Sequence, residues 1–136
     1  MNRTLYVGLS GRSNRAGIEQ LAAAVTPLGY RVEAVPVHGC LHLKSAVSLV
    51  GPETALINPQ YVATEPFRGL ERIEVAPAEP LGANALLLGS EVIYPASKPR
   101  TAERLHRRGL VVSLVEVSEL EKAEGAVTCC SLVFIG

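Results

Sequence analysis

A strand pattern that recurs about every 40 residues constrains the fold of this chain more than any other feature. The segments RVEAVPV, RIEVAPA and SLVEVSE each close a unit in which a strand or hairpin is followed by a helical or irregular stretch. Repeats of this length are typical of blade-like or solenoid proteins, whose units bury their apolar faces only against neighbouring units. The sequence holds two to three such units, which are few for a closed ring, so we expect the chain to be incomplete by itself.

Local signals predict mixed α/β elements within each unit. The segment TLYVGLS is typical of a buried strand, and Asn14 is suited to cap the helix after it, which carries one apolar face. Two hairpins are predicted, with turns at Gly51 and Gly89. Thr101 is expected to cap a second helix, and the C-terminal TCCSLVFIG is expected to form a strand.

Composition predicts one domain, residues 1–136, in a reducing and cytoplasmic compartment. The 13 basic and 13 acidic residues cancel, so the chain has no field that would favour nucleic acid or an anionic membrane. No segment approaches the roughly 20 apolar residues of a membrane span, and the N-terminus is not typical of a signal peptide. The cysteine count of three is odd, and two of them are adjacent, which disfavours disulfides.

The adjacent cysteines, Cys129 and Cys130, are candidates for a nucleophile. If TCCSLVFIG is a strand, its side chains alternate between faces, and Cys130 shares the apolar face with Leu132 and Phe134. Cys129 then lies on the other face, at a junction between a loop and a strand where a reactive thiolate would be accessible. The open alternative is that both thiols are packing residues, since free cysteine is commonly buried.

Histidine would supply the proton transfer that a cysteine nucleophile needs. His42 lies in the loop HGCLHLKS, before a predicted hairpin, and is a candidate general acid and base. His38 lies in the same loop, and the pattern does not rank the two; a solvated loop histidine is the alternative for both. Cys40 and His42 form at most a weak pair of metal ligands, so no metal site is predicted.

Arg12 follows the first predicted strand and precedes a helix N-terminus. A guanidinium beside unpaired helix N–H groups suits a carboxylate or a phosphate, and the alternative is an arginine in a surface turn. The acidic side chains of SELEKAEG are expected to belong to a solvated loop.

With these residues identified, the chain resembles the dimethylarginine dimethylaminohydrolase family of the guanidine-modifying (pentein) superfamily. The segments YVGLSGRSN, GCLHLKS, GAN, PRT, SELEKAEG and TCCS carry the resemblance, in the family's order. They cover essentially all of this chain but match only the C-terminal half of a family member. The resemblance implies a pentein-type α/β propeller of ββαβ modules, present here as a partial ring of two to three modules, which agrees with the recurrence.

The resemblance also implies roles for individual residues. Cys129 matches the nucleophile, His42 the general acid and base, and Arg12 the residue that binds the substrate α-carboxylate, while the backbone around Ala123 lines the amino-acid end of the pocket. The implied reaction hydrolyses Nω-methylated arginines to citrulline and methylamine or dimethylamine through an S-alkylthiouronium intermediate, without cofactor or metal. Lys44 stands where arginine and agmatine deiminases carry an aspartate, so a deiminase is the less favoured alternative.

The upstream half of the family has no counterpart in this sequence. In the family that half carries the carboxylates that bind the guanidinium, so we expect activity only in a homo-oligomer or with a complementing N-terminal half. The alternative is a non-catalytic structural or binding module. The segment KAEG also departs from the family, which often has a Val-Asp pair there, at the rim of the pocket.

Overall fold

The computed structural model describes residues 3–134, which form a mixed α/β structure. We number its strands β1 to β8 and its helices α1 to α3. The strands are Thr4–Leu9, Arg31–Pro36, Val47–Gly51, Thr54–Ile57, Glu71–Glu74, Leu86–Leu88, Glu91–Pro95 and Val111–Val115, and the helices are Arg15–Val25, Pro99–Arg107 and Ser118–Lys122. Short 3-10 helices occupy Thr26–Leu28, Leu43–Ser45 and Glu65–Phe67.

The strands form three small sheets that repeat one connection. In the second sheet β3 pairs antiparallel with β4, and β5 then returns parallel to β4; in the third sheet β6, β7 and β8 follow the same order. Among the described residues, the first sheet contains the two strands β1 and β2, which are parallel. The three recurring segments of the sequence are therefore the parallel return strands β2, β5 and β8.

Strand β1 lacks the antiparallel neighbour that its counterparts β4 and β7 have, at least among residues 3–134. The consequence is visible in burial: Leu56 in β4 and Tyr94 in β7 are both 0% exposed, whereas Leu5 and Tyr6 in β1 are each 36% exposed. The first sheet is thus open along one edge.

Local turn chemistry was predicted correctly at both hairpins and at the first helix. The turns lie between β3 and β4 and between β6 and β7, where Gly89 has the positive φ of 60° that a tight turn favours. The Asn14 side chain accepts a hydrogen bond of 2.8 Å from the backbone N–H of Gly17 and so caps α1. Of the apolar face of α1, Ile18 is buried, while Leu21 remains 37% exposed.

The predicted cap at Thr101 is wrong. Helix α2 begins at Pro99, which fits a first turn because it has no N–H to satisfy. Thr101 lies inside the helix with 0% exposure, and its hydroxyl oxygen accepts a hydrogen bond of 3.0 Å from the backbone N–H of Ala76. The cap comes instead from Glu79, whose carboxylate accepts from the backbone N–H groups of Arg100 and Thr101.

Two hydrophobic clusters hold the sheets together. The larger joins the second and third sheets to α2; its buried members are Val50, Leu56, Ile73, Val75, Ala83, Ala85, Val92, Tyr94, Ala102 and Leu105. The smaller lies between β2 and the segments that flank β3 and β4; it contains Val35, Ala46, Ile57, Val62 and Phe67. Tyr6 joins the first sheet to this cluster, because its ring lies 5.0 Å from that of Phe67.

The C-terminal segment differs from the predicted strand. Residues 127–130 form a turn, in which the Cys130 N–H donates to the carbonyl oxygen of Ala126 at 3.2 Å, and residues 131–134 have no strand assignment. Cys130 is exposed rather than packed in the core, and Leu132 and Phe134 are 86% and 78% exposed. A strand requires a neighbouring edge, and within the described residues none pairs with this segment. The rest of the predicted strand, residues 135–136, lies outside the described residues.

The acidic segment predicted as a loop is the short helix α3. Its Glu121 forms an ion pair of 2.7 Å with Lys98, the residue before α2. Within residues 3–134, no helix is both long enough and apolar enough to cross a membrane.

Candidate active site

His42 lies at the start of a 3-10 turn at the entrance to β3. Its backbone is extended and its carbonyl oxygen accepts from the Ser45 N–H at 2.9 Å, so the chain reverses direction directly after it. The side chain is exposed. The thiol of Cys40 also donates to the His42 carbonyl oxygen, at 3.5 Å. Burial raises the pKa of Cys40 above its usual range, against the smaller opposing effect of this hydrogen bond.

Cys129 lies in the turn formed by residues 127–130, and its side chain is exposed. Val127, at the start of this turn, is 5% exposed, so the turn is anchored in the protein by an apolar side chain. The Ser131 hydroxyl donates to the Val127 carbonyl oxygen at 2.5 Å. An exposed thiol on an anchored turn is accessible to a small molecule.

A buried asparagine links the His42 segment, residues 38–45, to the Cys129 turn, residues 127–130. Asn84 is 3% exposed, and its Nδ2 donates to the Lys44 carbonyl oxygen at 3.2 Å and to Thr128 Oγ1 at 2.8 Å. The backbone N–H of Thr128 donates to Asn84 Oδ1 at 3.1 Å. Lys44 is two residues after His42 and Thr128 directly precedes Cys129, so the structure brings these two predicted segments to one residue.

A second link, through the side chain of Ser10, connects the turn that carries Arg12 to the His42 segment. The Ser10 hydroxyl donates to the carbonyl oxygen of Leu41 at 2.7 Å and accepts from the backbone N–H of Arg12 at 3.1 Å. Arg12 is exposed and lines a cavity of about 310 Å³ between β1 and α1. The other lining residues are Val7, Ser13, Asn14, Gly17, Ile18 and Leu21. The turn that carries Arg12 therefore lies next to the His42 segment.

Ala123 directly follows α3, and the chain then turns towards the cysteines. The N–H groups of Ala123 and Gly125 both donate to the Leu120 carbonyl oxygen, at 3.0 and 2.8 Å, while Glu124 between them takes a positive φ of 57°. A Cβ atom on Gly125 would lie 3.3 Å from Cys130 Sγ. The backbone around Ala123 is thus adjacent to the cysteine turn, and its role in lining a substrate pocket stays a prediction.

Neither Asn84 nor Ser10 was identified as part of the site from the sequence. In the sequence, Asn84 is a single amide side chain within the apolar stretch LGANALLL. An amide in such a stretch is expected to be buried, and a buried polar side chain needs hydrogen-bond partners. Ser10 is a small polar residue directly after a predicted strand, and this pattern alone does not indicate a hydrogen-bonding role. Within residues 3–134, no cluster of three or more His, Cys, Asp or Glu side chains is arranged to hold a metal ion.

Comparisons of sequence and fold show which known proteins the chain resembles. No family model matches the chain. It is 46% identical over 130 residues to the dimethylarginine dimethylaminohydrolase of Streptomyces coelicolor and 33% identical over 129 residues to that of Pseudomonas aeruginosa. Both alignments cover 95% of this chain but only 49% and 51% of the relatives. The chain therefore spans about half the length of the curated relatives it matches.

Solved structures of dimethylarginine dimethylaminohydrolase and of an amidinotransferase have a fold similar to that of this chain. A variant of the Pseudomonas aeruginosa enzyme with one cysteine replaced by serine, complexed with citrulline, superposes with a TM-score of 0.89 at 32% identity, over 98% of this chain and 53% of that one. An amidinotransferase of saxitoxin biosynthesis from Microseira wollei superposes with a TM-score of 0.87 at 19% identity, over 97% of this chain and 44% of that one, which establishes a shared fold.

The fold of the described residues is the mixed α/β fold of guanidine-modifying, or pentein, superfamily structures. Over about half of their length, the dimethylarginine dimethylaminohydrolases are the proteins that this chain resembles in both sequence and fold.

Proposed function

We propose that this chain is the nucleophile-bearing half of a hydrolase that converts Nω-methylated arginines to citrulline and methylamine or dimethylamine. The observation that carries the proposal is the convergence of the His42 segment and the Cys129 turn on Asn84. The relatives' names and the citrulline complex of one of them support the substrate class.

The proposed chemistry is covalent. The Cys129 thiolate attacks the guanidinium carbon of the substrate and forms a tetrahedral adduct. His42 protonates the departing dimethylamine or methylamine, which leaves an S-alkylthiouronium on Cys129. His42 then removes a proton from a water that attacks the same carbon, and collapse of this second adduct releases citrulline and regenerates the thiol. Arg12 binds the α-carboxylate and the backbone around Ala123 lines the amino-acid end.

Lys44 supports methylated arginine as the substrate. An aspartate at this position, as in arginine and agmatine deiminases, would accept hydrogen bonds from unsubstituted guanidinium nitrogens. A dimethylated nitrogen has no N–H to donate, so a carboxylate there would remain unpaired at a cost. Lys44 removes that cost.

The carboxylates that hold the guanidinium in this family lie in the half that the sequence does not match. Leaving a buried charge without its partner typically costs about 3–5 kcal/mol, so the described half would bind the cation weakly.

We propose that a complementing half supplies these carboxylates, and that the pentein-type ring of modules closes only in the assembly. The open edge of β1 supports this, because its counterparts in the other two sheets each have a further strand. Self-association is the second way to cover the edge.

The decisive experiment joins this chain, in one polypeptide, to the unmatched half of the Streptomyces coelicolor relative. Joining the halves prevents weak assembly from limiting the result. We expect the fused protein to release citrulline from dimethylarginine, while this chain alone does not. Cys129→Ser should abolish release and Cys130→Ser should preserve it, and a halo-amidine probe should label Cys129 first.

Two results would contradict the proposal. A fused protein that folds but releases no citrulline would favour a non-catalytic structural module. Full turnover by this chain alone would refute the need for a second half.

A further inference from the structure

Asn84 is one of two buried asparagines in the described chain, and it alone joins two segments of the candidate site. Its partners, Lys44 and Thr128, are 40 and 44 residues away in sequence. Burying a side-chain amide is unfavourable unless its donors and acceptor are paired, and here both ends are paired. Asn84 is therefore a fully hydrogen-bonded side chain that joins two segments distant in sequence.

The amide of Asn84 satisfies both ends of this connection. The Lys44 carbonyl oxygen can only accept, so it requires a hydrogen-bond donor, while the Thr128 backbone N–H can only donate and requires an acceptor. An aspartate of the same shape would keep the acceptor and, when ionised, lose the donor. A hydrophobic residue would leave both backbone groups without these partners.

A third contact stiffens the His42 side of the connection. Ser48 Oγ donates to the same Lys44 carbonyl oxygen at 3.5 Å and accepts from the Ala85 backbone N–H at 3.3 Å. Strand β3, which follows His42, is thereby fixed to the start of β6, which follows Asn84. Moving the Lys44 carbonyl oxygen away from Asn84 would lengthen the hydrogen bonds that it accepts from Asn84 and Ser48.

We infer that Asn84 is a positioning residue, which sets the separation between His42 and Cys129 by holding Lys44 and Thr128 at fixed distances from one amide. The inference rests on the proposed function, because it assigns catalytic consequence to a structural connection. Asn84 does not itself reach the reacting atoms through these bonds; its action passes through the backbone on either side.

Asn58 offers a matched control. It is 2% exposed, its Nδ2 donates to the Pro80 carbonyl oxygen at 2.7 Å, and its Oδ1 accepts from the Gln60 N–H at 2.9 Å. It is therefore equally buried and also spans distant segments, but its partners are not in the His42 segment or the Cys129 turn. Loss of either amide should cost similar stability.

The test compares Asn84→Ala and Asn58→Ala in the fused protein described above, with citrulline release as the assay. We expect Asn84→Ala to lower kcat about 100-fold, the scale of a misplacement near 1 Å, with KM changed less than about twofold. Asn58→Ala should leave both constants within about twofold of the parent, despite a similar loss of melting temperature.

Asn84→Asp provides a second variant that preserves shape. At neutral pH we expect kcat to fall, because an ionised carboxylate cannot donate to the Lys44 carbonyl. As the pH is lowered, protonation of the new carboxyl restores a donor, so the ratio of its kcat to that of the parent at the same pH should rise. A defect of folding alone would not follow this pH dependence.

The outcomes separate the two proposals. A fused parent without turnover overturns the proposed function, and with it the catalytic role of Asn84. An active parent in which Asn84→Ala behaves like Asn58→Ala, or in which the Asn84→Asp ratio does not change with pH, overturns the inference alone.

Discussion

The carboxylate of Glu79 accepts a hydrogen bond of 2.8 Å from the backbone N–H of Thr101 in the first turn of α2. Its second oxygen accepts from the Arg100 N–H at 2.9 Å. The side chain is only 8% exposed. A carboxylate at this place satisfies two of the unpaired N–H groups of a helix terminus and lies at the positive end of the helix dipole. Glu79 thereby fixes α2 to the loop before β6.

The first prediction concerns the pH dependence of stability. Burial by itself raises the pKa of Glu79, but the hydrogen bonds from Thr101 and Arg100 and the charge of Lys98 together hold it below its usual value. A carboxyl whose pKa is lower in the folded state stabilises the fold above the unfolded-state pKa, about 4.3, and loses this contribution as the pH falls through the folded-state pKa. We expect Glu79→Gln to cost about 1 kcal/mol at neutral pH.

Urea denaturation across the acid range checks this. The difference in the free energy of unfolding between the parent and Glu79→Gln should shrink below about pH 4, because the parent loses its advantage there. Glu53→Gln, at an exposed glutamate, should differ little from the parent at any pH. A difference for Glu79→Gln that persists unchanged in acid would contradict the assigned role.

These contacts explain why some of the fold was predictable from the sequence and some was not. The cap at Asn14 and the turns at Gly51 and Gly89 depend on residues within a few positions, so local patterns identified them. The cap of α2 comes from Glu79, which lies 22 residues before Thr101. A local pattern instead assigned the cap to the nearest threonine.

The difference between local contacts and contacts across long sequence separations also applies to the candidate site. Residue types and the family resemblance identified Cys129 and His42, and their roles stay predictions. The connection through Asn84 depends on partners 40 and 44 residues away, which no local pattern reports. The expected C-terminal strand failed for a related reason, since pairing requires an edge that the sequence of one strand does not specify.

The second prediction ranks the thiols. Burial raises the pKa of Cys40, so less of it is thiolate at a given pH, and it is only partly accessible. Cys129 and Cys130 are both exposed. We expect iodoacetamide to modify Cys40 most slowly at pH 8, measured by mass spectrometry of variants that each retain one cysteine. Modification of Cys40 at the rate of the other two would contradict the burial of its thiol.

The third prediction concerns Arg12 in the fused protein. A guanidinium binds a carboxylate through two parallel hydrogen bonds, a geometry that lysine cannot reproduce. We expect Arg12→Lys to raise KM for dimethylarginine about tenfold with little change in kcat, because the α-carboxylate is bound equally in the ground state and the transition state. Arg15→Lys, at an exposed arginine of α1, is the control. Equal effects of both changes on KM would remove Arg12 from the site.

The fourth prediction tests the role of Lys44 in substrate choice. Lys44→Asp introduces a carboxylate that can pair with unsubstituted guanidinium nitrogens, so the ratio of kcat/KM for arginine to that for dimethylarginine should rise. The Lys44 carbonyl oxygen, rather than its side chain, bonds to Asn84, so the change should leave that connection intact. Competition between the two substrates measures the ratio directly. A fall in both values with an unchanged ratio would show that position 44 does not select the substrate.

The last prediction concerns the open edge of β1. In a strand paired on one side, the N–H groups directed away from the neighbour lack a strand partner, so their hydrogen exchange is fast. Strand β4 has partners on both edges, β3 and β5, and serves as the internal control. If a complementing half adds an antiparallel strand to β1, exchange in residues 4–9 should be at least about tenfold slower in the fused protein than in this chain alone. Exchange in β4 should change much less.

Self-association makes a different prediction for the same amides. If copies of this chain cover the edge of β1, exchange in residues 4–9 should slow as the concentration of the chain alone is raised, and light scattering should report a larger species in parallel. Exchange in β1 that is fast in the chain at every concentration and equally fast in the fused protein would refute docking at this edge, because an added strand must satisfy those N–H groups.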